Sequence, residues 1–336
     1  MPARPPSVWA LLDGLAGSNA QTRGVVRALG LPCLELPLAY AREWPWQRLA
    51  GHVRPTPETR AHLLAAPPPR LIVTTGRRAG AVARGLKHAL AARDGRAPRL
   101  LHIQDPRFGH DDFDRLIVPA HDRHVERLTR RPNVTVVTGA PHPLTVERLA
   151  AAADDWRSAV AALPRPWIAV LVGGDSGRRR LDAPVARRLV EQAQALARRA
   201  GGSLMVTTSR RTRPDAVAAL HESLGASLSG PHRLHAWTPD PAGNPYLGFL
   251  GLADGVIVTG DSMSMLTEAT TPAKPLYIFA PPGWARAPHA RFHAQLVEAG
   301  AARPLDDETP WQAWTGVPIN PAATIAAEAR ALLDLA

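Results

Sequence analysis

Short apolar runs rich in β-branched residues alternate along this chain with longer stretches of helical period. In the first half, SVWALL (7–12), LIVTT (71–75), LLHI (100–103), RLIV (115–118) and VTVV (134–137) predict strands, with helical stretches between some of them, notably 19–29 and 77–93. Residues 143–162, PLTVERLAAAADDWRSAVAA, form a long amphipathic stretch that stops at Pro164-Arg165-Pro166, which cannot continue a helix. The pattern then restarts. WIAVLV (167–172) leads into GGDSGRRR, and a helix over 184–200, the strand SLMVTT (203–208), a helix over 214–223, a strand at 256–259 and PLYIF (275–279) follow. Strands alternating with helices predict parallel sheets of βαβ units. Two such series around a Pro-rich joint predict an α/β chain of two Rossmann-like, doubly wound domains with an interdomain cleft. The boundaries read as 1–163, 164–320 and a final helical piece, 321–336, which can pack on either domain.

In open α/β sheets, ligands sit beyond the carboxyl ends of the strands. Four Gly- and hydroxyl-rich loops fall there. After the first strand comes DGLAGSNAQ (13–21): Gly14 and Gly17 permit a tight turn, and Ser18 or Asn19 can cap the next helix. Gly173, Gly174, Asp175 and Ser176 follow WIAVLV, where two glycines bare backbone N–H groups for an anion and Arg178–Arg180 add charge. TTSRRTRP (207–214) places Ser209 and Arg210 at a strand end, suited to phosphate. The fourth is GVIVTGDSMSMLTEA (255–269). If a helix begins near Ser262, its free N–H groups face outward, and Ser264 and Glu268, spaced i, i+4, share one side. A phosphate at the helix start and a ribose on Glu268 would fit. So would plain turns, solvated charge and helix capping by Asp261 or Ser262. No loop matches G-x-G-x-x-G or a Walker A sequence.

Composition narrows the picture modestly. The net charge is +11, and all but Lys87 and Lys274 of the 40 basic residues are arginine. Such a balance fits attraction to phosphates or an anionic membrane face, and equally a GC-rich coding bias. Zinc-finger spacing, RNP-like motifs and basic-aromatic arrays are absent, which argues against nucleic acid. The single cysteine, Cys33, allows no intrachain disulfide and fits a reducing cytoplasm. The N-terminus does not read as a signal peptide, and no apolar run approaches the ~20 residues of a membrane span. A cytoplasmic protein is expected, with peripheral contact at the inner membrane left open.

With those loops in view the sequence resembles a known family. DGLAGSNAQTRGVVRALGLP (13–32), HIQDPR (102–107), VPAHD (118–122), TTSRRT (207–212), NPYLGFLGLADGVIVTGDSMSMLTEA (244–269) and KPLYIF (274–279) are similar to the family named after a plant mitochondrial-fission factor, "elongated mitochondria". That resemblance covers nearly the whole chain and is sharpest over 244–279. It implies a divergent GT-B glycosyltransferase fold, in which the C-terminal domain holds a nucleotide diphosphate sugar and the N-terminal domain faces the acceptor. In bacterial relatives such as the lipid-linked peptidoglycan N-acetylglucosaminyltransferase, a Ser/Gly-rich helix start meets the diphosphate and a glutamate in that helix holds the ribose. Gly260, Asp261, Ser262, Met263, Ser264 and Glu268 match that arrangement, and Gly173, Gly174 and Ser176 match the donor-side glycine loop. On the acceptor side Gly14, Gly17, Asn19 and Gln21 match, whereas Ser18 stands where the family often has histidine; Asp13 is the nearest replacement for a base. The implied activity is sugar transfer to a hydroxyl acceptor, which a basic surface allows to be lipid-linked. The nucleotide sugar is then substrate, and neither cofactor nor metal is called for. A non-catalytic membrane scaffold of the same family is the alternative.

Other polar groups read less sharply. His121, Asp122 and His124 form a polar loop rather than a metal site. Asp112 and Asp114 spell D-x-D, read as a loop because GT-B enzymes do not normally need the metal. His102, Gln104, Asp105 and Arg107 either line the acceptor side or are structural. Cys33 is expected to be buried, and Trp44 and Trp46 either pack or form an exposed patch.

Overall fold

The computed structural model describes residues 7–41, 53–226, 230–240 and 243–335. Trp44 and Trp46 lie outside the described residues. The chain divides into two compact units, Met1–Pro143 with Asn320–Ala336, and Leu144–Ile319.

In the first unit the order is β1 (Val8–Leu12), α1 (Ala16–Leu29), β2 (Cys33–Pro37), α2 (Pro57–Ala65), β3 (Leu71–Thr75), α3 (Arg77–Asp94), β4 (Arg99–Ile103), a 3₁₀ turn at His110–Asp112, β5 (Arg115–Pro119), α4 (Val125–Leu128) and β6 (Val134–Val137). Its sheet is parallel throughout, ordered β2-β1-β3-β4-β5-β6. Side-chain alternation splits β1 between two cores. Val8, Ala10 and Leu12 pack with Val25, Val26 and Leu29 of α1; Trp9 and Leu11 pack on the other face with Ala79, Val82 and Leu86 of α3. Both faces are covered, which is why these strands read as unbroken apolar runs.

The second unit runs α5 (Val146–Val160), β7 (Trp167–Val172), α6 (Ala183–Ala200), β8 (Ser203–Thr208), α7 (Pro214–Gly225), β9 (His232–His235), α8 (Tyr246–Leu252), β10 (Gly255–Thr259), α9 (Met263–Ala269), β11 (Leu276–Phe279), α10 (Ala287–Glu298) and β12 (Arg303–Pro304). Its parallel sheet is ordered β12-β11-β10-β7-β8-β9, the 3-2-1-4-5-6 arrangement of a dinucleotide-binding fold. Trp167, Ala169 and Leu171 face one core; Ile168, Val170 and Val172 face the other, with Leu189, Val190 and Leu220 of α6 and α7.

The division falls at residue 143, upstream of the Pro-rich joint, because α5 packs on α8 of the second unit. Gly248 and Gly251 make that approach possible: a Cβ on Gly248 would lie 2.4 Å from the Trp156 ring, and one on Gly251 2.3 Å from the Leu149 carbonyl oxygen. The chain returns at its end, where α11 (Ala322–Leu332) lays Ile325, Ala326 and Ala329 into the first unit's core beside α1.

Candidate functional site

The second unit's order reverses between β7 and β10, so their carboxyl ends form the switch point at which ligands enter doubly wound sheets. Gly173–Gly174 leave β7 and Gly260–Asp261 leave β10 there. The expectation that the two glycines bare N–H groups for an anion is corrected. The Gly173 N–H donates to Thr259 Oγ1 at 2.7 Å, and the Gly174 N–H donates to Asp261 Oδ2 at 2.9 Å. Thr259 Oγ1 in turn donates to Asp261 Oδ1 at 2.7 Å. Glycine is still required, but for loop against loop: a Cβ on Gly174 would lie 2.1 Å from the Arg211 carbonyl oxygen. Asp261, 6% exposed, is the knot of this assembly and also pairs with Arg211 Nη2 at 2.9 Å.

The neighbouring loops close around that knot. Asp175 Oδ1 accepts the Leu181 N–H at 3.0 Å, and Ser176 and Arg179 exchange backbone bonds that tighten the turn. Ser209, after β8, donates from Oγ to the Gly173 carbonyl at 2.7 Å, while Arg210 stands exposed beside it. Arg211 Nη1 donates to the Asp175 carbonyl at 2.9 Å. Arg178, Arg179 and Arg180 are exposed as well, and the Arg286 guanidinium lies 3.5 Å from where a Cβ of Gly177 would be.

α9 begins at Met263 with Ser262 as N-cap, its hydroxyl reaching the Met265 N–H at 3.5 Å. The capping reading of Ser262 therefore stands, and with seven residues the helix has little dipole to offer alone. Met263 packs partly into the core, and Ser264 is half-buried. Glu268 is held by Tyr246, whose hydroxyl donates to Oε2 at 2.6 Å. Burial drives the Glu268 carboxyl up to about 7 against the opposing pull of that hydrogen bond.

Two histidines unremarked in the sequence complete the site. His293 Nε2 lies 2.8 Å from the Gly260 carbonyl, and His289 Nε2 lies 3.4 Å from Ser176 Oγ. They sit four apart on α10, hence on one face. Burial lowers both, with Arg286 adding to the effect on His289. The spacing in APHARFH was the available signal; Arg211 and Thr259 had none beyond their strand-end positions, and Tyr246, at the start of α8, had none.

In the first unit the reversal lies between β1 and β3. α1 starts at Ala16, so the capping expectation for Ser18 and Asn19 is corrected: the N-cap is Leu15, without a side-chain bond. Asn19 Oδ1 instead accepts the Asp13 N–H at 3.0 Å, while Asp13 Oδ1 accepts the Leu15 N–H at 2.9 Å. Gly14 takes φ 79°, a left-handed turn position. Gly17 lies in the first turn of α1, and Gln21 Oε1 accepts from Gln104 Nε2 at 3.4 Å. Burial raises the Asp13 carboxyl, opposed by the Leu15 N–H and the Arg78 charge.

The remaining groups have partners within the first unit. His102 is fully buried, bonded to Thr74 at 2.6 Å and packed on Phe113. Asp112 pairs with Arg84, and Asp114 with Lys87 and Arg99. Asp122 Oδ1 accepts the His124 N–H at 2.9 Å. Cys33 is half-buried in β2.

Two parallel, doubly wound units with polar loops at both reversal points define a GT-B-like protein. The fold is shared with a UDP-GlcNAc 2-epimerase from Methanocaldococcus jannaschii (TM-score 0.59, 12% identity, covering 97% of this chain and 99% of that one). It is shared too with a glycosyltransferase from Rickettsia africae ESF-5 (TM-score 0.53, 9% identity, 98% and 89%). The chain belongs to the Mitochondrial fission ELM1 family, whose profile matches residues 16–333. It is 28% identical over 255 residues to the Arabidopsis thaliana mitochondrial fission protein ELM1, a match covering 69% of this chain and 57% of that protein. It is also 26% identical over 294 residues to the uncharacterized protein RP120 of Rickettsia prowazekii, covering 77% and 78%. The match thus spans little more than half of the plant relative. Among the described residues no helix is long and apolar enough to cross a membrane.

Proposed function

We propose that the chain binds a nucleotide diphosphate sugar at the strand ends of the second unit and transfers the sugar to a hydroxyl acceptor. The observation that carries this is the Gly174–Asp261–Arg211 knot at the reversal of strand order, with exposed Arg178–Arg180 and Arg210 on the loops it joins and the Arg286 guanidinium beside Gly177. Guanidinium groups there would hold a diphosphate and stabilise the charge it gains on leaving, without a metal or cofactor in the scheme. Glu268 keeps Oε1 for a ribose hydroxyl, since the Tyr246 hydroxyl occupies Oε2. In the transfer step the acceptor oxygen bonds the sugar C1 as the C1–O bond to the diphosphate breaks. The acceptor proton passes to Asp13, whose raised affinity for protons suits a base. Of the epimerase and transferase chemistries among fold relatives, transfer is preferred because the first unit has a carboxylate, Asp13, directly after β1. A lipid-linked acceptor and peripheral contact with the cytoplasmic face of the inner membrane fit the net charge of +11.

A scaffold without turnover is the second reading, favoured by Ser18 and by the engagement of Asp13 Oδ1 with the Leu15 N–H. Incubation with UDP-, GDP- and ADP-sugars, followed by chromatography for released nucleoside diphosphate, separates the two. Release dependent on Asp13 supports transfer; nucleotide binding without release under any acceptor condition supports the scaffold.

A further inference from the structure

The segment that enters α10 backs the loop after β7 at three points. Trp284 Nε1 donates to the Arg180 carbonyl at 2.7 Å, and the Arg286 guanidinium lies 3.5 Å from where a Cβ of Gly177 would be. His289, the third residue of α10, sets Nε2 3.4 Å from Ser176 Oγ. One turn on, His293 Nε2 donates to the Gly260 carbonyl at 2.8 Å, so the helix is anchored to the loop after β10 as well. The His289 ring is enclosed there, 5% exposed.

A purely space-filling role does not suit this histidine. Its Nδ1 is buried without a hydrogen-bond partner among the described residues, a cost that an apolar side chain of similar size would not incur. Such breaches of local consistency collect at functional sites. Its bond through Nε2 goes to a hydroxyl that nothing else holds: Ser176 is half-buried at the strand end, and among the described residues His289 is the only partner of its Oγ. The Ser176 backbone is already pinned. Its N–H donates to the Arg179 carbonyl at 2.9 Å, and its carbonyl accepts the Arg179 N–H at 3.1 Å. Asp175 before it is tied to Leu181 and Arg211. What the loop leaves open is the rotation of the hydroxyl. A neutral imidazole has one donor and one acceptor nitrogen. A proton on Nδ1 would bury an N–H without an acceptor, whereas a proton on Nε2 is donated to Ser176 Oγ. The serine then keeps its own proton for an acceptor on a ligand.

We infer that His289 is a positioning residue: it donates to Ser176 Oγ and so makes the Ser176 hydroxyl a fixed donor to a phosphate oxygen of the bound nucleotide diphosphate. This rests on the nucleotide reading of the second unit and adds a residue to it that acts through Ser176 without touching the ligand.

Calorimetry on the full chain with UDP, GDP and ADP, read as a double-mutant cycle, tests it. For the diphosphate that binds the wild type, Ser176→Ala is expected to weaken binding roughly tenfold. His289→Leu is expected to weaken it roughly fivefold in the wild type but less than about twofold in the Ser176→Ala background. His289→Gln, whose amide can still donate to the hydroxyl, is expected to stay within about threefold of the wild type. His289→Phe repeats the leucine arm should that variant fail to fold, with thermal melts reading the fold of each protein. Equal losses from His289→Leu with and without the Ser176 hydroxyl, or a glutamine variant as weak as the leucine one, overturn the inference and leave the nucleotide reading standing. Absence of binding by all three diphosphates to the wild type defeats the nucleotide reading and the inference with it.

Discussion

Arg211 Nη2 lies 2.9 Å from Asp261 Oδ2, the same oxygen that accepts the Gly174 N–H. One carboxylate therefore ties the loops after β7, β8 and β10 into a single piece, although Gly174 and Asp261 are 87 residues apart in sequence. Arg178–Arg180, Arg210 and Arg211, proposed to meet a diphosphate, lie on two of those loops.

Removing the carboxylate strands several partners at once. Asp261→Ala leaves the buried Gly174 N–H and the Thr259 hydroxyl without an acceptor and is expected to cost about 2–4 kcal/mol. Asp261→Asn retains one acceptor oxygen and is expected to cost less. Urea denaturation of the three proteins reads the order directly; equal stability of wild type and Asp261→Ala would show that the knot is decorative.

Glycine at 174 is required by backbone proximity rather than by flexibility. Gly174→Ala puts a Cβ 2.1 Å from the Arg211 carbonyl oxygen, so the loop must move, at about 1–3 kcal/mol. Gly85 supplies the contrast: it is exposed inside α3 and a Cβ there meets nothing within 4 Å. Gly85→Ala is expected to stabilise by about 1 kcal/mol. Thermal melts should move in opposite directions for the two substitutions.

Glu268 makes stability depend on pH with a definite sign. Its folded carboxyl is raised to about 7 from an ordinary value of 4.5, so the folded state binds the proton more tightly than the unfolded one. That contribution is whole below the unfolded value and is lost as pH rises through about 7. Glu268→Gln stays neutral and should therefore gain on the wild type between pH 5 and pH 8, by no more than about 3 kcal/mol. Denaturant titrations at the two pH values check this; a difference that does not change with pH refutes it.

Much of the fold could be read from the sequence, and the gaps have common causes. β3, β7 and β8 run over LIVTT, WIAVLV and SLMVTT as expected, because burial on both faces makes such strands uniformly apolar, and the edge strand β6 runs over VTVV as expected on its β-branched residues. β2, β9 and β12 were not foreseen. β2 and β9 carry Glu35 and Arg233, and β12 is two residues long; all lie at or near sheet edges, where the apolar signal fades. α8 was hidden by Gly248 and Gly251, whose reason is the α5 backbone, invisible along the chain. The same blindness misplaced the domain joint, since amphipathicity says that α5 buries a face but not against which sheet. At the site, sequence position revealed which groups stand at strand ends. It could not reveal that the glycine N–H groups are already consumed by Thr259 and Asp261, a pairing set by sheet order alone.

The nucleotide site can be tested by a thermal-shift titration of the full chain with UDP, GDP, ADP and their sugars. A ligand at a hundred times its Kd adds about 2.7 kcal/mol to stability, roughly 5–10 °C for a unit of this size. One nucleotide should produce a rise of that order, and Glu268→Ala and Arg211→Ala should each abolish most of it. No rise with any nucleotide, or a rise indifferent to both substitutions, would contradict a nucleotide site at the strand ends of the second unit.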